Sequence, residues 1–123
     1  MNDILLVLIG GGIGSACRYL VSTSAGRLFG DSFAWGTMAV NLVGCLLIGF
    51  IVGLVDRAFL SRTYRIILVT GFLGGFTTFS SFSLESVRMI LGGSLVKGIV
   101  NIGINVLLGL ALTLTGLFAA TRI

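Results

Sequence analysis

The chain has 123 residues, of which 56% are hydrophobic and only 10% are charged, and its mean hydropathy is +1.15. A membrane span needs about 20 mostly apolar residues, so this length predicts about four spans with short connections and leaves no room for a soluble domain. We therefore expect an all-α integral membrane protein that lies in a lipid bilayer. The net charge of +4 does not indicate nucleic acid binding, because the basic residues are scattered between apolar segments.

The first predicted span covers about residues 4–24 and carries glycines in its first half. Gly10 and Gly14 lie four residues apart on one helix face, which lets another helix backbone approach closely. No strand precedes these glycines, so a nucleotide-binding loop is not indicated. Arg18 is costly within a span unless it reaches an interface, water or a partner. Two roles stay open for it, an interfacial anchor and a residue that attracts an anion at a vestibule.

The second predicted span, about residues 33–55, and the fourth, about residues 95–119, each carry a polar stripe on an apolar helix. In the second span the stripe is Thr37, Asn41 and Gly44. In the fourth it is Ser94, Gly98, Asn101, Asn105 and Gly109. A buried asparagine can join two helices by hydrogen bonds, or it can donate its amide to a bound or permeating anion. Both interpretations stay open for Asn41.

The third predicted span, about residues 66–91, contains the stretch GGFTTFSSFSLE at residues 74–85. Paired glycines and a run of hydroxyl side chains stand here where a lipid-facing helix should be uniformly apolar. Backbone polar groups at membrane depth must be satisfied inside the protein or line a wet cavity. The stretch therefore predicts a helix broken at mid-membrane, over residues 74–78, and a functional site beside the break.

Phenylalanines and hydroxyl residues are interleaved after the predicted break. At 100° per residue, one helix face carries Phe79, Phe82, Ser83 and Ser86, flanked by Thr78, Ser81 and Glu85. Phenylalanines at helical spacing are compatible with core packing, but a ring edge can also meet an anion without a full charge that would trap it. Neutral donors that can replace a hydration shell come from Thr78, Ser81, Asn41 and Asn105. The stretch thus indicates ion conduction or transport, with packing as the alternative for the phenylalanines.

Catalysis is not predicted. The sequence has no histidine, and both cysteines fall within predicted spans without a nearby base. Its four acids are Asp3, Asp31, Asp56 and Glu85, of which all but Glu85 lie near predicted interfaces. No nucleophile can be paired with a base, so we expect a protein that is not an enzyme.

Basic residues are divided equally between the two sides of the predicted four-span topology. The side of the chain ends and central loop has Arg57, Arg62, Arg65 and Arg122, and the other side has Arg18, Arg27, Arg88 and Lys97. The positive-inside rule therefore favours neither orientation. This balance predicts dual topology and an antiparallel homodimer about a two-fold axis in the membrane plane.

The stretch GGFTTFSSFS at residues 74–83, together with Gly36-Thr37, Val40-Asn41 and Arg18-Tyr19, resembles the small bacterial fluoride channels of the Fluc, or CrcB, family. The similarity covers essentially the whole chain. It implies a dual-topology antiparallel homodimer in the bacterial inner membrane. Such a dimer exports fluoride passively from the cytoplasm through two pores.

The resemblance also implies roles for individual residues. Phe79 and Phe82 correspond to pore-lining phenylalanines, Asn41 to a pore asparagine, Thr78 and Ser81 to a hydroxyl track, Glu85 to the vestibule, and Arg18 to the arginine of the first helix. A structural sodium ion at the dimer centre is implied as a cofactor, held by the backbone carbonyls of Gly74 and Thr77. Many relatives have tyrosine and serine where this chain has Asn101 and Asn105, so the contacts of the fourth span are not implied.

Two other classes of protein compete with a fluoride channel. A small proton-coupled multidrug or guanidinium exporter also has four spans, but such a carrier needs a carboxylate in its first helix. Residues 4–24 contain none, since Asp3 precedes them. A non-transporting assembly subunit accounts for the small-residue stripes and leaves the phenylalanine and hydroxyl run unexplained.

Overall fold

The computed structural model describes residues 3–123, which form helices joined by short connections and contain no β-strand. Four helical spans in it are long and apolar enough to cross a membrane: Asp3–Phe29, Trp35–Asp56, Arg62–Leu91 and Leu95–Ala120. The first two are α1 and α2 and the last is α5, while the third consists of α3 (residues 62–76) and α4 (Phe79–Leu91). The predicted all-α membrane architecture is confirmed.

The third span is interrupted at Thr77 and Thr78, whose backbones are extended, with φ and ψ of −89° and 160° and of −153° and 117°. The predicted break is therefore confirmed but is shorter than residues 74–78, because Gly74–Phe76 closes α3 with a helical turn. Gly74 and Gly75 do not end the helix by themselves, because a backbone at membrane depth keeps its helical hydrogen bonds wherever no other partner is available. Wider π-helical turns occur nearby, at Arg65–Leu73 and at Ile104–Leu108.

The spans run antiparallel to their neighbours in sequence. α1 packs on α3, α2 packs on the second half of α5, and α4 packs on the first half of α5. At one end Arg62 Nη2 donates to Asp3 Oδ2 over 2.7 Å, and Arg57 donates to the carbonyl of Ala120. At the other end Lys97 Nζ donates to the carbonyl of Ser32. The start of α1, the α2–α3 connection and the end of α5 thus share one side, as the four-span topology predicts.

Glycines allow α1 and α3 to touch along their backbones. Gly10 and Gly14 are both buried, and a Cβ added at Gly14 would overlap the carbonyl oxygen of Phe72. The predicted packing role of this glycine face is confirmed. Only 11% to 22% of the most apolar stretch of each span is buried inside the chain. Most of the apolar surface is therefore available to lipid or to a second copy.

Candidate functional site

The helix break is held by one side chain of α2. The Thr78 N–H donates to Asn41 Oδ1 over 2.9 Å, and Asn41 Nδ2 donates back to the Thr78 carbonyl over 3.1 Å. Extended residues at a helix break have no helical partners for their backbone groups, and a carboxamide supplies one donor and one acceptor in the required arrangement. Thr78 also caps α4, since its hydroxyl accepts from the Ser81 N–H over 3.2 Å. The backbone groups of Thr78 are thus satisfied by side chains, and the break has a defined structure.

Asn41 also joins α2 to α5. Its Nδ2 donates to Asn105 Oδ1 over 3.0 Å, so both of its amide protons are bonded within the protein. Asn105 Nδ2 donates in turn to the carbonyl and to Oδ1 of Asn101, and Asn101 Nδ2 donates to Ser86 Oγ over 2.9 Å. Asn41 therefore joins helices by hydrogen bonds, which is one of the two interpretations that the sequence leaves open for it. Its contact with an anion stays a prediction.

Two phenylalanines stand directly after the break. The rings of Phe79 and Phe82 have centroids 5.5 Å apart and planes inclined at 57°. Phe82 is 8% exposed, whereas Phe79 is 78% exposed in the single chain. Both line a cavity of about 360 Å³, which we call the first cavity. Five other predicted site residues line the same cavity: Asn41, Gly74, Thr77, Thr78 and Asn105.

A second and more polar cavity of about 270 Å³ contains the other two residues predicted on α4, Ser81 and Glu85. Thr37 Oγ1 donates to Glu85 Oε1 over 3.0 Å, while Glu85 Oε2 is buried and has no hydrogen-bond partner among residues 3–123. The Thr78 hydroxyl donates to the Ser81 hydroxyl over 3.2 Å. Because Thr78 lines the first cavity and Ser81 the second, a hydroxyl contact links the two.

Arg18 is not brought to either cavity. It is half-buried on α1 and forms no hydrogen bond or ion pair with the part of the chain that the structure describes. The two roles predicted for it, anchor and anion attractor, therefore stay open.

The backbone at the break has oxygen atoms suited to a hard cation. Within residues 3–123, the carbonyls of Gly74 and Thr77 accept no hydrogen bond, because the Thr78 N–H is taken by Asn41 and the Ser81 N–H by the Thr78 hydroxyl. Carbonyl oxygens prefer cations such as sodium over softer metals. The described residues contain no group of three or more His, Cys, Asp or Glu that could hold a metal. The residues present therefore fit a cation bound by backbone oxygens.

Two residues of this arrangement are not among the predicted site residues. Ser86 accepts from Asn101 and donates to the Phe82 carbonyl over 2.7 Å. Ser15 on α1 donates to the carbonyl of Gly75 over 3.5 Å. Ser86 falls on the face of Phe79 and Phe82, which is a signal that it points inward. Its partner Asn101 lies on the predicted polar stripe of the fourth span, but nothing in the sequence indicates that the two residues pair.

Comparison with known proteins gives a consistent result. Residues 5–117 match the family model described as "CrcB-like protein, Camphor Resistance (CrcB)". A protein of Rhizobium etli named fluoride-specific ion channel FluC is 49% identical over 118 residues, which cover 95% of this chain and 94% of that protein. Proteins of the same name from Agrobacterium fabrum and Maridesulfovibrio salexigens are 55% identical over 96 residues (77% of each chain) and 42% identical over 118 residues (95% of this chain and 94% of that protein).

Proposed function

The chain belongs to the CrcB family, and from this premise we propose that it conducts fluoride through two pores of an antiparallel homodimer in the bacterial inner membrane. It is a multi-pass membrane protein and a fluoride channel, not an enzyme. The observation that carries the proposal is the broken third span. An extended Thr77-Thr78 pair, pinned by Asn41, places Phe79 and Phe82 on the wall of the first cavity.

The permeation path that we propose runs from the second cavity to the first. Glu85, Thr37 and Ser81 form the polar end, and the hydroxyl contact between Ser81 and Thr78 continues it to the break. Ring edges of the inclined phenylalanines then offer the positive part of their quadrupole to an anion. Weak contacts at several points let an ion leave as readily as it arrives, which conduction requires.

The exposure of Phe79 in the single chain supports the proposal that a second copy forms the other wall of the pore. Phe79 is 78% exposed in one chain, and Gly74, at the end of α3, is also exposed. Because the Phe79 ring lines the first cavity and is exposed, the single chain has an open cavity here and not a closed pore. Pairing through this surface, in opposite orientations as the balanced basic residues predict, would close the cavity.

We also propose a sodium ion at the centre of the dimer. The carbonyls of Gly74 and Thr77 would hold it, and the bound cation would supply positive charge that draws two oppositely inserted breaks together. The support is the pair of unbonded carbonyls in the described chain and the position of both residues on the first cavity.

A proton-coupled exporter is not favoured. Such a carrier needs a carboxylate within its first helix. Asp3, the one acid of α1, lies at the first turn and pairs with Arg62 on the exposed surface. A proton relay through the membrane would need an acid deeper in the span.

Ion efflux from liposomes tests the function. Purified protein is reconstituted into vesicles loaded with potassium fluoride or potassium chloride, valinomycin is added to carry the counter-ion, and each anion is followed with its selective electrode. We expect rapid fluoride efflux and little chloride efflux, with no need for a pH gradient. Protein-free vesicles with valinomycin give the background. Equal fluxes of the two anions, or none, would overturn the channel function.

The antiparallel assembly needs its own experiment. A reporter fused to the carboxyl terminus should be found on both sides of the membrane, and cysteine crosslinking should capture pairs in opposite orientation. A terminus on one side alone, or only parallel pairs, would overturn the dimer while leaving the fluoride flux to be judged separately.

A further inference from the structure

Four polar side chains form a continuous series of hydrogen bonds across three helices: Asn41, Asn105, Asn101 and Ser86. We propose that Asn101, Asn105 and Ser86, together with Asn41, form a hydrogen-bonded ladder that positions the Phe82 turn, so that Asn101 and Ser86 control fluoride conduction without lining the path. The inference deepens the proposed function and rests on it for the flux measurement. Its spectroscopic measurement does not depend on that function.

The bonds of the ladder point in one direction, apart from the bond that Asn41 Nδ2 donates back to the Thr78 carbonyl. The Thr78 N–H donates to Asn41, Asn41 Nδ2 donates to Asn105, and Asn105 Nδ2 donates to Asn101. Asn101 Nδ2 then donates to Ser86 Oγ, and Ser86 Oγ donates to the Phe82 carbonyl over 2.7 Å. The ladder leaves α4 at its cap, crosses α2 and α5, and returns to α4 at Ser86, whose hydroxyl donates to the Phe82 carbonyl one turn earlier in the same helix. It therefore spans the part of α4 that carries both Phe79 and Phe82.

A one-way ladder fixes the orientation of each amide. Turning the Asn105 amide over would place its Nδ2 against Asn41 Nδ2, two donors facing each other, so the groups must keep a common direction. Hydrogen bonds in such a chain polarise one another inside a low-dielectric interior. A change at Asn101 is therefore transmitted through Asn105 to Asn41, although the structure gives no hydrogen bond between Asn101 and Asn41.

The burial of the two outer members assigns them a positioning role. Asn101 is 0% exposed and Ser86 is 3% exposed, and neither lines the two cavities. They cannot touch a permeating ion in this arrangement. Plain packing at this depth would be served by an apolar side chain without the cost of burying an amide. Asn101 joins α5 to α4 through Ser86, and the Ser86 hydroxyl donates to the carbonyl of Phe82.

Amide spectroscopy tests the ladder directly. The sequence contains four asparagines, Asn2, Asn41, Asn101 and Asn105, so selective ¹⁵N labelling of asparagine gives few side-chain signals, and each can be assigned by removing its residue. We expect Asn101→Leu to shift the side-chain signal of Asn41. We expect Ser86→Ala, which removes only one hydroxyl, to shift that of Asn105. Unmoved signals in both variants would overturn the ladder.

Fluoride flux tests the positioning role in the same samples. Asn101→Leu and Ser86→Ala should each lower fluoride efflux about three- to tenfold, since one interhelical hydrogen bond is lost at each. The matched control is Thr113→Val on the same helix as Asn101, because among residues 3–123 the Thr113 hydroxyl donates only to the Gly109 carbonyl within α5. The control should leave the Asn41 signal in place and the flux within about twofold of wild type.

The double variant separates a ladder from two independent contacts. Because Asn101→Leu already disconnects Ser86, adding Ser86→Ala should lower the flux no further, and multiplied losses would overturn the inference. Flux that falls without a shift of the Asn41 signal would overturn it too. Ser86→Ala alone decides the matter if Asn101→Leu does not fold. If the wild-type protein conducts no fluoride, the proposed function fails, whereas the amide signals still report whether the ladder exists.

Discussion

Replacing Asn41 with leucine should destabilise the protein, because leucine has a similar branched shape and no polar atom. The substitution leaves the Thr78 N–H without an acceptor in a residue that is 8% exposed. An orphaned buried donor costs about 1–3 kcal/mol. The Thr78 carbonyl and Asn105 Oδ1 also lose a donor, and each interhelical bond in a membrane protein contributes about 0.6 kcal/mol on average. We expect a loss of about 2–4 kcal/mol.

The assay is equilibrium unfolding of the purified protein by SDS in mixed micelles. Trp35 is the only tryptophan and lies at the start of α2, so its fluorescence reports the helix that carries Asn41. Thr113→Val, which removes only a bond within α5, is the matched control and should cost less than about 1 kcal/mol. A double variant with Asn105→Leu should show a coupling of about 0.6 kcal/mol and at most about 1.7 kcal/mol.

The same variant distinguishes the two interpretations of Asn41. If Asn41 pins the break, stability and fluoride flux fall together in Asn41→Leu. If its main contact is with the ion, flux falls while the free energy of unfolding stays within about 0.5 kcal/mol of wild type. That second result would refute the reasoning from the structure, as would strict additivity with Asn105→Leu.

Three further predictions concern other parts of the molecule. Phe82→Ile should lower fluoride flux because a ring edge is lost, while the protein elutes unchanged on size exclusion. The control is Phe72→Ile, since Phe72 belongs to a stacked pair outside the two cavities. Equal flux in the two variants would mean that Phe82 serves only packing. Gly14→Ala should cost about 1–3 kcal/mol, because its Cβ overlaps the Phe72 carbonyl, whereas Gly12→Ala, with open space around it, should not destabilise. Replacing sodium with a large organic cation should weaken the dimer and its fluoride flux, and indifference would argue against the sodium site.

Local patterns in the sequence were sufficient for the architecture. The four spans follow from apolar length, and the close approach of another helix to α1 follows from the spacing of Gly10 and Gly14, although not that this helix is α3. The position of the break was only partly predictable. Paired glycines permit a bend, but the helix ends where another side chain replaces the lost backbone bonds, and here that happens at Thr78 through Asn41.

The partners across the site were not predictable from one sequence. Asn41 lies 37 residues before Thr78 and 64 before Asn105, and its stripe on α2 indicates a face without identifying what meets it. The link from Asn101 to Ser86 depends on the rotation of α5 against α4, which the periodicity of neither helix determines. Periodicity at 100° per residue also assumes a regular α-helix, and the π-helical turns at Ile104–Leu108 change the faces of the residues that follow them.

The contacts at the break also explain how so small a chain can support an open structure at membrane depth. Ser15 reaches the Gly75 carbonyl from α1, Asn41 binds Thr78 from α2, and Asn105 holds Asn41 from α5. Three helices thus fix the backbone where the third span is interrupted, and their contacts satisfy the Gly75 carbonyl and the backbone groups of Thr78, which lipid cannot do. All of these contacts lie within one chain and none of them involves the Phe79 side chain, which stays exposed. The antiparallel pairing that we propose can therefore form a pore wall without breaking any bond that holds the helix break in place.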